Sequence, residues 1–184
     1  MENYLNGEQK FLSEIGIGEV FKIADIEFVK FYDDNGNTIA TTKDCLFHSC
    51  FGGDNNFAKS TILDKLNKEV LPKIEEEIGS ENIVVHEVDL LSLDGSNKWG
   101  KVRTKISLPT FDFYRRHVKI FDKYNPEKWW WLATPDTTTD HSLYNDHVSC
   151  VSPSGCLDIN YGSFFNGIRP FLIFVSSIVV SCEE

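Results

Sequence analysis

The 184-residue chain has no apolar run approaching the ~20 residues that a membrane helix needs. Its longest, Phe171 to Val180, is interrupted by Ser176 and Ser177. Positive charge is also scarce. Eighteen Lys and Arg stand against 28 Asp and Glu, a formal net charge of −10 that repels phosphate backbones. Neither a nucleic acid nor a membrane is therefore expected as a partner. Met1-Glu2-Asn3-Tyr4 carries no basic n-region and no apolar h-region, so no secretory signal is expected and synthesis is placed in the cytoplasm. Without such a signal the five cysteines read as free thiols, and an odd number cannot pair completely.

The short signatures of catalysis are missing too. The chain has no phosphate-cradling glycine loop, no serine elbow and no His-Glu metalloprotease pair. Gly16-Ile17-Gly18 lacks the third glycine and the helix start of a dinucleotide site. Cys45-Leu46-Phe47-His48 offers a nucleophile and a base, but close neighbours on a strand diverge and no activating third group is identifiable. No catalytic residue and no cofactor is assigned, and the chain is expected to bind rather than catalyse.

Aromatic residues are abundant, at 13%, in a chain of one-domain size. We expect a single α+β domain over 1–184, with 1–11 as an N-terminal arm. Residues 15–32 read as a hairpin broken at Asp25, followed by the turn Asp34-Asn35-Gly36-Asn37 and a strand over Thr38–Thr42. Leu63, Leu66, Val70, Ile74 and Ile78 recur at helical spacing, with Ser60 as N-cap, Gly79 past the C-terminus and Pro72 as a break or kink. A short strand is expected around Ile83–His86 and an irregular connection over 89–106. Thr110 can cap a second helix reaching Tyr124, whose stripe of Phe113, Tyr114, His117, Ile120 and Phe121 reads as core. Short strands over Val148–Val151, Cys156–Ile159 and Ile168–Val180 close the chain.

Trp129-Trp130-Trp131 should open a central strand, with Trp129 and Trp131 on one face and Trp130 on the other. Burying one indole removes ~150–250 Å² from water, an upper bound of roughly 4–6 kcal/mol each. A sheet covered on both faces explains such a segment, and an indole lining a shallow binding surface is the alternative. Arg169 enters a run that should be buried and so needs a carboxylate or several carbonyls. We read it as structural, holding the loop 160–166 against the body.

The polar stretch 136–147 holds three carboxylates and two imidazoles, yet its spacing matches no EF-hand and no zinc signature. It reads as a solvated loop, with no metal assigned. Cys150 and Cys156 read as a buried pair of thiols on adjacent strands. A metal- or thiol-dependent enzyme using His141, His147, Cys150 and Cys156 is the competing reading, and a purely structural oligomer subunit is the third.

Four motifs taken in order carry a resemblance: the helix start Phe57-Ala58-Lys59-Ser60, the segment Asp89-Leu90-Leu91-Ser92, Trp129 through Pro135, and Gly167-Ile168-Arg169-Pro170-Phe171. Over about Leu12 to Ser181 the chain resembles a protein family of gut Firmicutes and their bacteriophages. That family looks like a branch of the C-type-lectin-like fold, the fold of formylglycine-generating enzymes and of variable proteins diversified by retroelements. The resemblance implies mostly antiparallel sheets with two flanking helices, terminal strands that pair, and a tryptophan strand in the core. It further implies a phage-encoded virion or tail-associated binding protein whose loops recognise a protein or glycan on a cell surface, with homo-oligomer formation left open. The ligand-binding positions would be Asp140, His141, Tyr144, Asn145, Asp158, Asn160, Tyr161, Phe164 and Asn166, residue types that combine contact area with adaptable hydrogen bonds. The Glu-Pro-Asn motif of calcium-dependent sugar binding is absent, and Tyr144-Asn145-Asp146 only faintly resembles its Trp-Asn-Asp partner.

Overall fold

A computed structural model describes residues 8–140 and 143–182. The chain is α+β, dominated by strands in mostly antiparallel sheets. In chain order the strands are β1 (Glu8–Phe11), β2 (Val20–Ile23), β3 (Ile26–Asp34), β4 (Asn37–Thr42), β5 (Phe47–Ser49), β6 (His86–Asp89), β7 (Lys101–Thr104), β8 (Ile106–Ser107), β9 (Trp130–Pro135), β10 (His147–Val151), β11 (Leu157–Tyr161), β12 (Asn166–Ile168), β13 (Phe171–Val175) and β14 (Val179–Cys182). A seven-stranded sheet runs β1-β14-β2-β3-β4-β13-β8, a five-stranded sheet runs β11-β10-β9-β12-β5, and β6 pairs with β7 alone. Among the described residues only the contact of β12 with β9 is parallel.

The hairpins follow their turn chemistry. Asn35 and Gly36 both take positive φ between β3 and β4, and Ala24 and Asp25 do so between β2 and β3. The expected arm is partly a strand, because residues 8–11 pair with the closing strand as β1, and residues 1–7 lie outside the described residues. β14 in turn pairs with β2 through Ser181 and Lys22. The short strand expected around Ile83–His86 begins only at His86, Ile83 contributing an isolated bridge to Phe174. The connection over 89–106 is less irregular than expected, since it contains β7 and β8.

Ser60 caps the first helix by accepting from the Leu63 N–H, and Gly79 ends it at φ 84°. Between α1 (Thr61–Lys65) and α2 (Leu71–Ile78) the backbone widens into a π segment, Leu66–Val70. Pro72 explains the interruption, since it has no N–H to donate and its ring crowds the carbonyl four residues back. Thr110 caps α3 (Phe111–Arg116) through the Phe113 N–H, and a break at His117 starts α4 (Val118–Lys123). No helix among the described residues is long and apolar enough to cross a membrane.

The tryptophan strand is central in its sheet, though it starts one residue later than expected. Trp131 packs edge-on against Phe51 and donates its indole N–H to Ser49 O. Trp130 faces the opposite core, between Tyr114 and Phe121, and donates to Asn125 Oδ1. Trp129 does not join Trp131 in its core; it precedes β9 and is 38% exposed. The chain is still entering from the exposed residues Glu127 and Lys128 at that point, so this third indole stays at the rim.

Arg169 is buried, as its position demands, and carbonyls receive it. Nε and Nη2 donate to Thr42 O and Nη2 also to Lys43 O, while the guanidinium lies over the Trp130 and Phe121 rings. It therefore ties the end of β4 to the aromatic core, rather than holding the loop 160–166.

The half-buried His86 links stability to pH. Its Nε2 lies 2.9 Å from Ser107 Oγ, its ring stands against Phe171, and burial lowers its pKa to about 4. The folded chain thus prefers the neutral ring, whereas the unfolded chain takes up a proton near pH 6.5. Stability should be complete above about 6.5, fall as pH drops towards 4, and level off below, with a total loss of at most about 3 kcal/mol. Urea titrations across that window should show the slope, and His86→Gln should abolish it; an unchanged slope in the variant would assign it to other groups.

Candidate functional site

Residues 136–147 are expected to form a solvated loop, but Thr137 and Thr138 are stitched to the body. Thr137 and Thr138 are buried. Asp94 accepts from the hydroxyls of Ser92, Thr137 and Ser96 and from the Ser96 N–H, and these bonds hold its carboxyl well below the usual carboxylate range. Asn55, fully buried, is the centre of the lock. Its Nδ2 donates to Thr137 O at 2.7 Å and His147 O at 3.1 Å, and its Oδ1 accepts from Trp99 Nε1 at 2.9 Å. Three separate loops are thereby fixed behind β10.

The outer side of this lock carries rings. His147 opens β10, buried, with Nδ1 2.8 Å from Asp146 Oδ1. Its imidazole sits between Tyr144, at 5.0 Å, and Tyr161, at 4.0 Å, and Tyr161 meets Phe164 edge-on at 5.7 Å. Leu143 and Phe165, next in sequence to Tyr144 and Phe164, are 88% and 71% exposed. Gly162 N–H donates to Asp146 O, and Gly162 O accepts from the Phe51 N–H. A β-carbon at Gly162 would lie 3.2 Å from Asp146 O, so glycine eases the close approach of the two ring-bearing segments there. Exposed apolar residues thus gather into one face, formed by residues 143–147 and 161–165.

Of the expected ligand residues, this face unites Tyr144, Tyr161 and Phe164, with Asn145 exposed beside them. Asp140 is exposed and ion-paired with Lys98. His141 lies outside the described residues. Asp158 and Asn160 are on β11 and turn back on their own backbone, Oδ1 of each accepting the next residue's N–H. Asn166 is no surface residue; it is buried in β12 opposite Ser49, because the strand it opens lies between β9 and β5. Leu143, Phe165 and the organising role of His147 were missed. The doublet Phe164-Phe165 inside a polar stretch was the available signal.

Cys150 and Cys156 do not form the expected buried pair. Cys150 points into the core, where burial pushes its thiol up to about 12, whereas Cys156 is exposed beyond the turn at Gly155. Cys45 is raised to about 11, also by burial, and a β-carbon at Gly167 would collide with its sulfur. Among the described residues no three His, Cys, Asp or Glu side chains group so as to hold a metal ion. The arrangement offers aromatic contact area above the Asn55 lock, with His147 and Asp146 paired at its centre. No family model, no curated protein and no solved structure matches this chain.

Proposed function

We propose that this protein is a binding module, and that its ligand surface is the face of Leu143, Tyr144, Tyr161, Phe164 and Phe165 around His147. One observation carries this: the exposed rings of Tyr144, Tyr161 and Phe164 cluster around His147 on a support whose polar groups are already locked to one another. Rigid aromatic anchors contribute contact area at low entropic cost. The partner we favour is a protein with an apolar pocket and a basic rim. Leu143 and Phe165 present hydrocarbon rather than hydroxyl-binding groups, one oxygen of each of Asp158 and Asn160 is engaged by backbone, and the chain carries a net charge of −10.

The paired terminal strands, the tryptophan strand inside its sheet and the two interrupted helices support a C-type-lectin-like assignment. The resemblance to Firmicute and phage proteins supports a virion or tail-associated role at a cell surface. Labelled protein should bind intact gut Firmicute cells, and protease treatment of the cells should abolish binding while periodate leaves it. The converse would identify a glycan. The combined change Leu143→Ser, Phe164→Ser and Phe165→Ser should weaken binding at least about thirtyfold, a single hot-spot's worth, with the melting temperature unchanged. Full binding by that variant would sink the assignment of this face.

A further inference from the structure

We propose that Asp158 and Asn160 close the outer edge of β11 against strand addition, and that the partner they exclude is a second copy of this chain pairing β11 to β11. The inference is independent of what the aromatic face binds. Exposed sheet edges template pairing with other chains, and short edge strands blunt that hazard. The two large sheets end on β1 with four residues, β8 with two, β5 with three and β11 with five. Among the described residues the longest of these edges is therefore β11.

Its backbone parity can be read from its neighbours. Cys156 O accepts from the Ser152 N–H and Gly162 N–H donates to Asp146 O, so even-numbered residues bond towards β10. Leu157, Ile159 and Tyr161 consequently turn their N–H and C=O groups outward. Asp158 Oδ1 accepts the Ile159 N–H at 2.8 Å, Asn160 Oδ1 accepts the Tyr161 N–H at 3.0 Å, and Tyr161 O accepts the Phe164 N–H at 2.9 Å. Half of the six outward groups are thus occupied within the chain, and they lie at the end nearest the aromatic turn. Without the two side chains, an antiparallel pair centred on Ile159 would set Leu157 opposite Tyr161 in each direction. Such a pair is self-complementary about a two-fold axis.

The experiment compares the natural chain with Asp158→Ala/Asn160→Ala by analytical ultracentrifugation over a concentration series, with amide exchange at Ile159 and Tyr161. Asp158→Asn is the charge control, since it keeps an acceptor oxygen and loses the negative charge. The double variant should shift towards about twice the mass of the natural species as concentration rises, consistent with a symmetric pair. Its Ile159 and Tyr161 amides should exchange faster than in the natural chain when dilute and more slowly when concentrated. Adding Ile159→Pro, which removes an outward N–H that β10 does not use, should return the mass to the natural value. Equal mass and exchange in the natural and double-variant chains would overturn the proposal. So would association by Asp158→Asn alone, or association that Ile159→Pro leaves intact. If the double variant does not fold, Asn160→Ala under the same measurements decides in the same way.

Discussion

Arg169→Ala is expected to destabilise the protein by about 3–5 kcal/mol, the range for breaking a buried charged network. The guanidinium donates three hydrogen bonds to Thr42 O and Lys43 O and lies 4.8 Å from the Trp130 ring centre and 5.2 Å from that of Phe121. Truncation would leave two carbonyls unpaired by it and remove the plate on which both rings rest. Burial lowers the Arg169 pKa only to about 10, so the group is charged at neutral pH. Arg169→Lys should recover little, because an ammonium cannot reach both carbonyls while lying flat on an indole. Urea denaturation of the two variants measures the effect. A loss below about 1 kcal/mol, the ordinary worth of one hydrogen bond, would show that Arg169 is dispensable to the core.

That arginine also shows how far local sequence can be read. Its burial and its need for carbonyls followed from a charge placed at the mouth of an apolar run, because desolvation acts wherever the partners come from. Which carbonyls they were did not follow, since Thr42 lies 127 residues away. The caps at Ser60 and Thr110 and the turn at Asn35-Gly36 were legible because their partners lie within a few residues. The candidate site divides in the same way. Tyr144, Tyr161 and Phe164 are polar-loop aromatics that the fold brings together, whereas Asp158 and Asn160 each give one oxygen to an adjacent N–H, which their residue type does not announce. Residue type cannot separate an acceptor offered to a ligand from one spent on its own backbone. Asn166 was misplaced because a polar residue beside a loop gives no local sign that the strand it opens lies between two others.

Asn55→Ala should have the second large effect, about 2–5 kcal/mol, because three hydrogen bonds of one fully buried amide are lost in a single step. Thr137 O, His147 O and Trp99 Nε1 converge on this one amide, and none of the three is on the loop that carries Asn55. The consequence should therefore be spatially selective. Amides of residues 134–140 and 143–147 should lose exchange protection, while those of β3 and β4 keep theirs. If the face of Tyr144, Tyr161 and Phe164 is the ligand surface, Asn55→Ala should weaken binding without touching a ring, since its support carries His147. Asn55→Asp gives a signed test of the hydrogen-bond roles. The carboxylate can still accept from Trp99, but it faces two carbonyls with no proton to give, so its folded pKa should rise above the ordinary ~3.9. The variant should consequently be most stable below about pH 4 and lose stability as pH rises through the folded value, the slope expected when the native state holds the extra proton. An Asn55→Asp protein as stable at pH 7 as the natural chain would mean that Nδ2 does not serve those carbonyls, and the lock beneath the aromatic face would have to be sought elsewhere.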